Sequence, residues 1–384
     1  MIYLDYNATT PCDPSVVEAM LPYFLEKFGN PASRTHGKGW QADEAVKIAA
    51  KQIAELINCD ANEIVYTSGA TESCNLAIKG VFERMKGFGN HIITCTTEHK
   101  AVLDTCAHLE SMGASVTYLE VDENGQIDLE AYKAAFRADT VLAAFMYANN
   151  ETGVIHPINQ LASIAREQKA YFFCDATQAI GKVKVDVQAD NIDLLALSAH
   201  KFYGPKGTGI LYINKKKPRV QLVAQIDGGG HQDGRRSGTL NVPSIVGMGK
   251  AAQICCSAQH WESVNRIEKW RDELAHYFVS HCAPAIVNAQ ASLRLPNVLN
   301  ISFLGIKAEQ LVSRLNNELA FSVGSACTSA QQKASHVLTA MQLDAAVING
   351  AIRLSLGKML KEAELAIIKE KVSTAVNQLR SQSI

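Results

Sequence analysis

The stretch Tyr171-Phe172-Phe173-Cys174-Asp175-Ala176-Thr177-Gln178 runs four apolar residues into a carboxylate and then into small and polar side chains. A short apolar run bounded in this way reads as a sheet strand. Five other runs share the form: Glu63-Ile64-Val65-Tyr66-Thr67, His91-Ile92-Ile93-Thr94, Val116-Thr117-Tyr118-Leu119, Val141-Leu142-Ala143-Ala144-Phe145 and Leu194-Leu195-Ala196-Leu197. A further strand is expected from Gly209 to Ile213. Helical patterns fall between them, so the first two thirds of the chain read as α/β, a mixed or parallel sheet covered by helices. Ligands of such sheets sit outside the carboxyl ends of the strands, so the residues directly after each run are the first place to look for function.

Working outward, Asp13 is a suitable N-cap, Pro14 suits a first helical position, and apolar residues recur at Val16, Val17, Met20, Leu21 and Phe24 before Gly29. Pro22 lies inside that span and can kink it. A second helix is expected near Glu44 to Ile57, with Val46, Ala49, Ile53, Leu56 and Ile57 on one core-facing stripe. From about Ala251 the pattern changes to a long helical segment, a strand-like Asn297 to Phe303, a Gly/Ser turn region and a last helix from Lys361 to Leu379. We therefore expect a large domain over residues 13–250 and a small α+β domain over residues 1–12 and 251–384.

The chain has 384 residues, 47% of them hydrophobic, enough for a large core and against a disordered or fibrous class. Its 37 basic and 38 acidic residues leave a formal charge of -1, so no global field draws nucleic acid or an anionic membrane. No basic stretch followed by an apolar one opens the sequence, and no apolar run approaches the roughly 18 residues that span a bilayer. The expectation is a soluble, cytoplasmic protein whose partners are small molecules and proteins. The ten cysteines lack C-x-x-C spacing and read as reduced thiols, most of them small buried hydrophobes.

Three strand ends gather chemistry. Thr67-Ser68-Gly69-Ala70-Thr71-Glu72-Ser73 leads a strand into a helical pattern, where small residues, free N–H groups and the Thr71 hydroxyl can receive an anion. Read alone, it is an ordinary capped turn before it is a phosphate site. Asp175 ends its apolar run with a carboxylate that is costly to bury without a cationic or protonated partner. A pyridinium nitrogen, a helix cap and a metal all satisfy it. The third end is Ser198-Ala199-His200-Lys201-Phe202-Tyr203-Gly204-Pro205. A desolvated lysine there forms a Schiff base readily, and an Asp–Lys pair on neighbouring strand ends is what a pyridoxal-phosphate (PLP) site needs. A lysine in isolation reads as surface.

These residues also carry a resemblance. Tyr3-Leu4-Asp5-Tyr6-Asn7-Ala8-Thr9-Thr10, Gly29-Asn30-Pro31-Ala32-Ser33-Arg34, Ser68-Gly69-Ala70-Thr71-Glu72 and Thr97-Glu98-His99-Lys100 are similar to segments of the NifS/IscS cysteine desulfurases. So are Asn149-Asn150-Glu151-Thr152-Gly153, Asp175-Ala176-Thr177-Gln178, His200-Lys201, Arg236-Ser237-Gly238-Thr239 and Gly324-Ser325-Ala326-Cys327-Thr328-Ser329. The matches run in order from residue 3 to about 357. The resemblance implies a fold-type I PLP-dependent transferase of the class V aminotransferase group, its large domain built on a mainly parallel seven-stranded sheet.

Carried over, the resemblance implies that Lys201 holds PLP as a Schiff base, Asp175 pairs the pyridine nitrogen, Gln178 faces the phenolic oxygen and His99 stacks on the ring and serves as acid/base. Asn150 would lie near ring or substrate. Ala70, Thr71, Ser198 and His200 would hold the phosphate, joined by Thr239 of the second subunit, which requires a homodimer. Arg353 would pair the carboxylate of L-cysteine, where a guanidinium fork fits two oxygens. Cys327, in a run of small residues suited to a loop that enters and leaves the site, would take the sulfur as a persulfide. Alanine leaves, and the sulfur passes to an acceptor such as an iron–sulfur scaffold protein.

Other outcomes of the same sequence are tRNA thiolation, DNA sulfur modification, selenocysteine lysis and a non-catalytic scaffold. The chain ends at Ile384, without the longer tail by which housekeeping members engage a cluster scaffold, so the acceptor stays open. No clustered ligand spacing indicates a resident metal, and a transient cluster on Cys327 is the one metal role expected.

Overall fold

A computed structural model describes residues 1–216, 218–323 and 334–382. Seven strands form the central sheet: β1 (Ile64–Thr67), β2 (His91–Cys95), β3 (Ser115–Leu119), β4 (Thr140–Met146), β5 (Tyr171–Asp175), β6 (Leu194–Ser198) and β7 (Gly209–Ile213). Their spatial order is β1-β7-β6-β5-β4-β2-β3. All neighbours are parallel except β7, which runs antiparallel to both β1 and β6. The seven apolar runs of the sequence are these strands. They read as continuous rather than alternating because both faces are covered. On β5, Phe172 and Cys174 enter one core with Phe145, Leu195 and Ile210, while Phe173 enters another with Leu142, Ala144 and Leu211.

Helix α1 (Pro14–Met20) starts as expected, with Asp13 capping Ser15 N–H, but it stops at Leu21, and a separate turn, Pro22–Leu25, follows. Pro22 lacks the N–H that would continue the ladder. Of the expected apolar stripe only Val16 is buried, whereas Val17, Leu21 and Phe24 are exposed. Helix α2 (Gly37–Ile57) begins earlier than its stripe suggested and buries Val46, Ala49, Ile53 and Ile57 against the sheet. Helices α3 (Ala70–Met85) and α4 (Lys100–Ser111) start directly after β1 and β2 and cover the opposite face.

A separate apolar core joins Leu4 to residues between Ile267 and Leu379. It packs the helices Ala258–His281 and Glu362–Ser381 on an antiparallel sheet of Ala285–Val287, Val298–Phe303 and Ala351–Ser355. The helix Val242–Cys255 runs through Ala251 and keeps Ala251, Ala252 and Cys255 in the core of the large sheet. The N-terminal strand Ile2–Tyr3 pairs with Leu319–Ala320, and the residues after it lead toward the carboxyl ends of β5 and β6.

Candidate active site

The carboxyl ends of β1, β4, β5 and β6 surround a cavity of about 420 Å³. Ala70, Thr71, His99, Asn150, Asp175, Gln178, Ser198, His200 and Lys201 all line it. Thr239 and Arg353 do not, and Cys327 lies outside the described residues. Arg353 is not a surface cation after a strand: it sits within the strand Ala351–Ser355 and is 2% exposed. Its Nη1 donates to Asn150 O at 2.9 Å, its Nη2 meets Asp5 Oδ1 at 2.6 Å, and its buried Nε has no partner. Thr239 is exposed.

One end of the cavity suits an anion. Gly69, with φ +151°, turns the chain from β1 into α3. The first N–H to bond back is that of Ser73, to Gly69 O at 3.1 Å, so the amides of Ala70 and Thr71 are not used by the helix. A Cβ on Gly209 would stand 2.5 Å from Leu197 O and 2.8 Å from Gly69 Cα, so only glycine lets the turn press onto β7. Glu72 also lines the cavity and would repel an anion, but Arg236 Nε holds its Oε1 at 2.8 Å. Burial pushes the Glu72 carboxyl up, yet Arg236 and the Ser68 N–H outweigh it and hold the group below its usual range. Capping does not exclude an anion here: Glu72 accepts the Ser68 N–H, and the helix leaves the amides of Ala70 and Thr71 unused. Burial and the charges of Lys201, Lys206 and Lys182 hold His200 neutral, down to about 4.

The other end suits a protonated ring nitrogen. Asp175 is 6% exposed; Oδ1 accepts the Thr177 N–H at 3.0 Å and Oδ2 has only the Cys74 thiol, 4.0 Å away. A buried carboxylate that lines a cavity can pair a cationic group brought there. Thr177 Oγ1 beside it is likewise buried and unpartnered. Glu98, one residue before His99, is fully buried. Its Oε1 accepts the Met146 N–H at 2.7 Å and its Oε2 has no partner. Burial pushes this carboxyl well above its usual range. His99 caps α4, its Nδ1 accepting the Ala101 N–H at 3.1 Å, so the neutral ring carries its proton on Nε2. Burial lowers its pKa, Asp175 opposes that, and Lys201 and His336 add to it.

Lys201 lies in the turn after β6, its Nζ donating to Asn7 O at 2.6 Å and Ala8 O at 2.8 Å. Asn7 is the functional residue that strand-end reasoning passed over. Its carbonyl also accepts Gln178 Nε2 at 3.0 Å, its Nδ2 donates to Asn150 O at 3.0 Å, and its Oδ1 accepts Asn297 Nδ2 at 3.0 Å. The only sequence signal was its place in the Tyr3–Thr10 motif. An amine, a buried carboxylate and a helix start with open amides, spaced around one cavity, fit the aldehyde, pyridine and phosphate groups of PLP.

Residues 2–368 match the Aminotransferase class-V family. The cysteine desulfurase IscS of Anaeromyxobacter dehalogenans is 49% identical over 382 residues, 100% of this chain and 94% of that protein. A solved NifS-like protein superposes with a TM-score of 0.91 at 36% identity, covering 98% of this chain and all of that one. SspA, solved in complex with cysteine, superposes with a TM-score of 0.82 at 36% identity over 93% and 99% of the two chains.

Proposed function

The chain belongs to the aminotransferase class-V family, and on that premise we propose that it is a PLP-dependent cysteine desulfurase, converting L-cysteine to L-alanine and retaining the sulfur on Cys327 as a persulfide. The observation that carries this reading is the cavity that sets Lys201 and the buried Asp175 around one space, in a chain 49% identical from end to end to an IscS desulfurase.

The bound cofactor supplies an electron sink that makes the C–S bond of cysteine labile. The chain does the rest. Asp175 would hold the proton of the ring nitrogen, Gln178 Nε2 would donate to the phenolic oxygen, and His99 would stack on the ring and serve as acid/base. Asn150, whose carbonyl ties Asn7 to Arg353, holds its side chain beside the ring or substrate. The open amides of Ala70 and Thr71, with Ser198 and His200, bind the phosphate. Lys201 would hold the cofactor's aldehyde carbon and, once free, would move the proton at Cα. Arg353, whose Nη1 donates to the carbonyl of the cavity-lining Asn150, would meet the substrate carboxylate. The Cys327 thiolate attacks the substrate sulfur, and alanine departs with the proton returned to carbon.

The reading includes a homodimer in which Thr239 reaches the second subunit's phosphate. Its support is the exposure of the large apolar side chains Leu21, Phe24, Leu25, Phe28 and Trp40. Among the described residues no helix is long and apolar enough to cross a membrane, and we place the enzyme in the cytoplasm. The sulfur acceptor is an iron–sulfur scaffold protein: the IscS relative is more similar, at 49%, than the other desulfurase-like structures, at 36%. Cys327 is then the residue able to ligate a nascent cluster. The purified protein should turn L-cysteine into alanine and a protein persulfide. Cys327→Ala should keep the cofactor's visible band and lose the persulfide. Undiminished persulfide in that variant, or a wild-type protein that takes up no cofactor, overturns the proposal. Mixed-disulfide capture on Cys327 identifies the acceptor, and capture of a tRNA- or DNA-thiolation protein alone sinks the iron–sulfur assignment.

A further inference from the structure

One helical turn after Gln178, Lys182 is a buried lysine that none of the steps above uses. Its Nζ donates to Gln178 Oε1 at 2.7 Å and reaches Asn7 Oδ1 at 3.4 Å. Burial, and then the charges of Lys201 and Arg353, push its pKa well below lysine's usual range. In both contacts its Nζ is the donor.

A glutamine amide has one end that only accepts and one that only donates. Here the partners decide which end faces where. Nε2 meets the carbonyl of Asn7 at 3.0 Å, an acceptor with nothing to donate. Turned over, Oε1 would face that carbonyl with no hydrogen between them, and the Lys182 donor would lose its acceptor. With the amide fixed, one Nε2 hydrogen goes to Asn7 and the second has no partner among the described residues, at a side chain that lines the cavity.

We propose that Lys182 is a positioning residue for the cofactor: by holding Gln178 Oε1 it keeps the second Nε2 hydrogen for the phenolic oxygen of the ring, and so sets the proton affinity of the Lys201–cofactor linkage. This rests on the PLP reading of the site. A donor on the phenolic oxygen draws off negative charge that otherwise holds the linkage proton, so losing it raises the midpoint at which the visible absorbance titrates. Lys182→Met keeps the length of the side chain and removes the donor.

The test is a pH titration of the visible band in cofactor-loaded protein, without substrate. In Lys182→Met the midpoint should rise by roughly 0.4 to 1.1 pH units, the equivalent of one ordinary hydrogen bond. Gln178→Met should show the same rise, and adding Lys182→Met to it should bring none. An unmoved midpoint in Lys182→Met overturns the proposal. So does a shift that persists in the Gln178→Met background, since Lys182 would then act through its own field. If Lys182→Met does not fold, Lys182→Gln, too short to hold Oε1 in place, is read by the same outcomes. A wild-type protein with no visible band after loading overturns the PLP reading itself, a result distinct from an unmoved midpoint.

Discussion

Replacing Glu98 by glutamine tests whether the site carries one anion or two at the ring-nitrogen end. The Glu98 carboxyl is fully buried, has one N–H donor on Oε1 and none on Oε2, and burial followed by the nearby Asp175 charge drives it well above its usual 4.5. The folded protein thus holds a proton that the unfolded chain releases near its ordinary pKa. Above that pKa stability falls with rising pH, by about 1.4 kcal/mol per unit, for as long as the folded carboxyl keeps its proton. Glutamine has no proton to lose. Its amide nitrogen is as unpartnered as Oε2, a cost of roughly 1–3 kcal/mol that does not vary with pH. The stability of Glu98→Gln relative to wild type should therefore improve as pH rises above the ordinary carboxyl range, measured by urea unfolding of cofactor-loaded protein. Parallel stability curves would refute the reasoning, because Glu98 would then be ionised in the fold and Asp175 would not be the sole anion awaiting the ring.

Gly209→Ala puts a Cβ within 2.5 Å of Leu197 O and 2.8 Å of Gly69 Cα; overpacking of this kind costs roughly 1–3 kcal/mol, and cofactor affinity, measured by absorbance titration, should fall by about tenfold or more. Arg236→Met frees the Glu72 carboxylate beside the open amides. Cofactor affinity should drop by roughly tenfold to a hundredfold, the range for a lost charged hydrogen bond, and Arg236→Met with Glu72→Gln should recover much of it. Phe24→Lys with Leu25→Glu should convert a dimer to monomers in sedimentation, with weaker cofactor retention because Thr239 no longer reaches its site.

The sheet was legible because its strands are buried on both faces, so each announced itself as an apolar run. Asp175 and Lys201 were legible because charge directly after such a run has few structural uses. Helix α1 misled: Val17, Leu21 and Phe24 keep helical spacing, and spacing does not say whether an apolar face meets the same chain or another. Arg353 sits inside the strand Ala351–Ser355 with Asp5 and Asn150 as partners, contacts that no local pattern of sequence shows. Asn7 and Lys182 were invisible. Asn7 meets Asn150, Gln178, Lys201 and Asn297 across 143 to 290 positions of sequence, and a lysine four residues after a glutamine looks like an ordinary surface charge.

What distance hid was the electrostatic logic of the site. Glu72 is matched by Arg236, and Asp5 by Arg353. Burial raises the pKa of Glu98 and lowers those of Lys182 and His200. Lys201 Nζ donates to two backbone carbonyls. Asp175 is a buried carboxylate that lines the same cavity. A site arranged this way gains most from a ligand that brings a cationic nitrogen to Asp175 and an anion to the open amides of α3. Adding a second cation near Asp175, or ionising Glu98, would weaken that preference without altering the shape of the cavity.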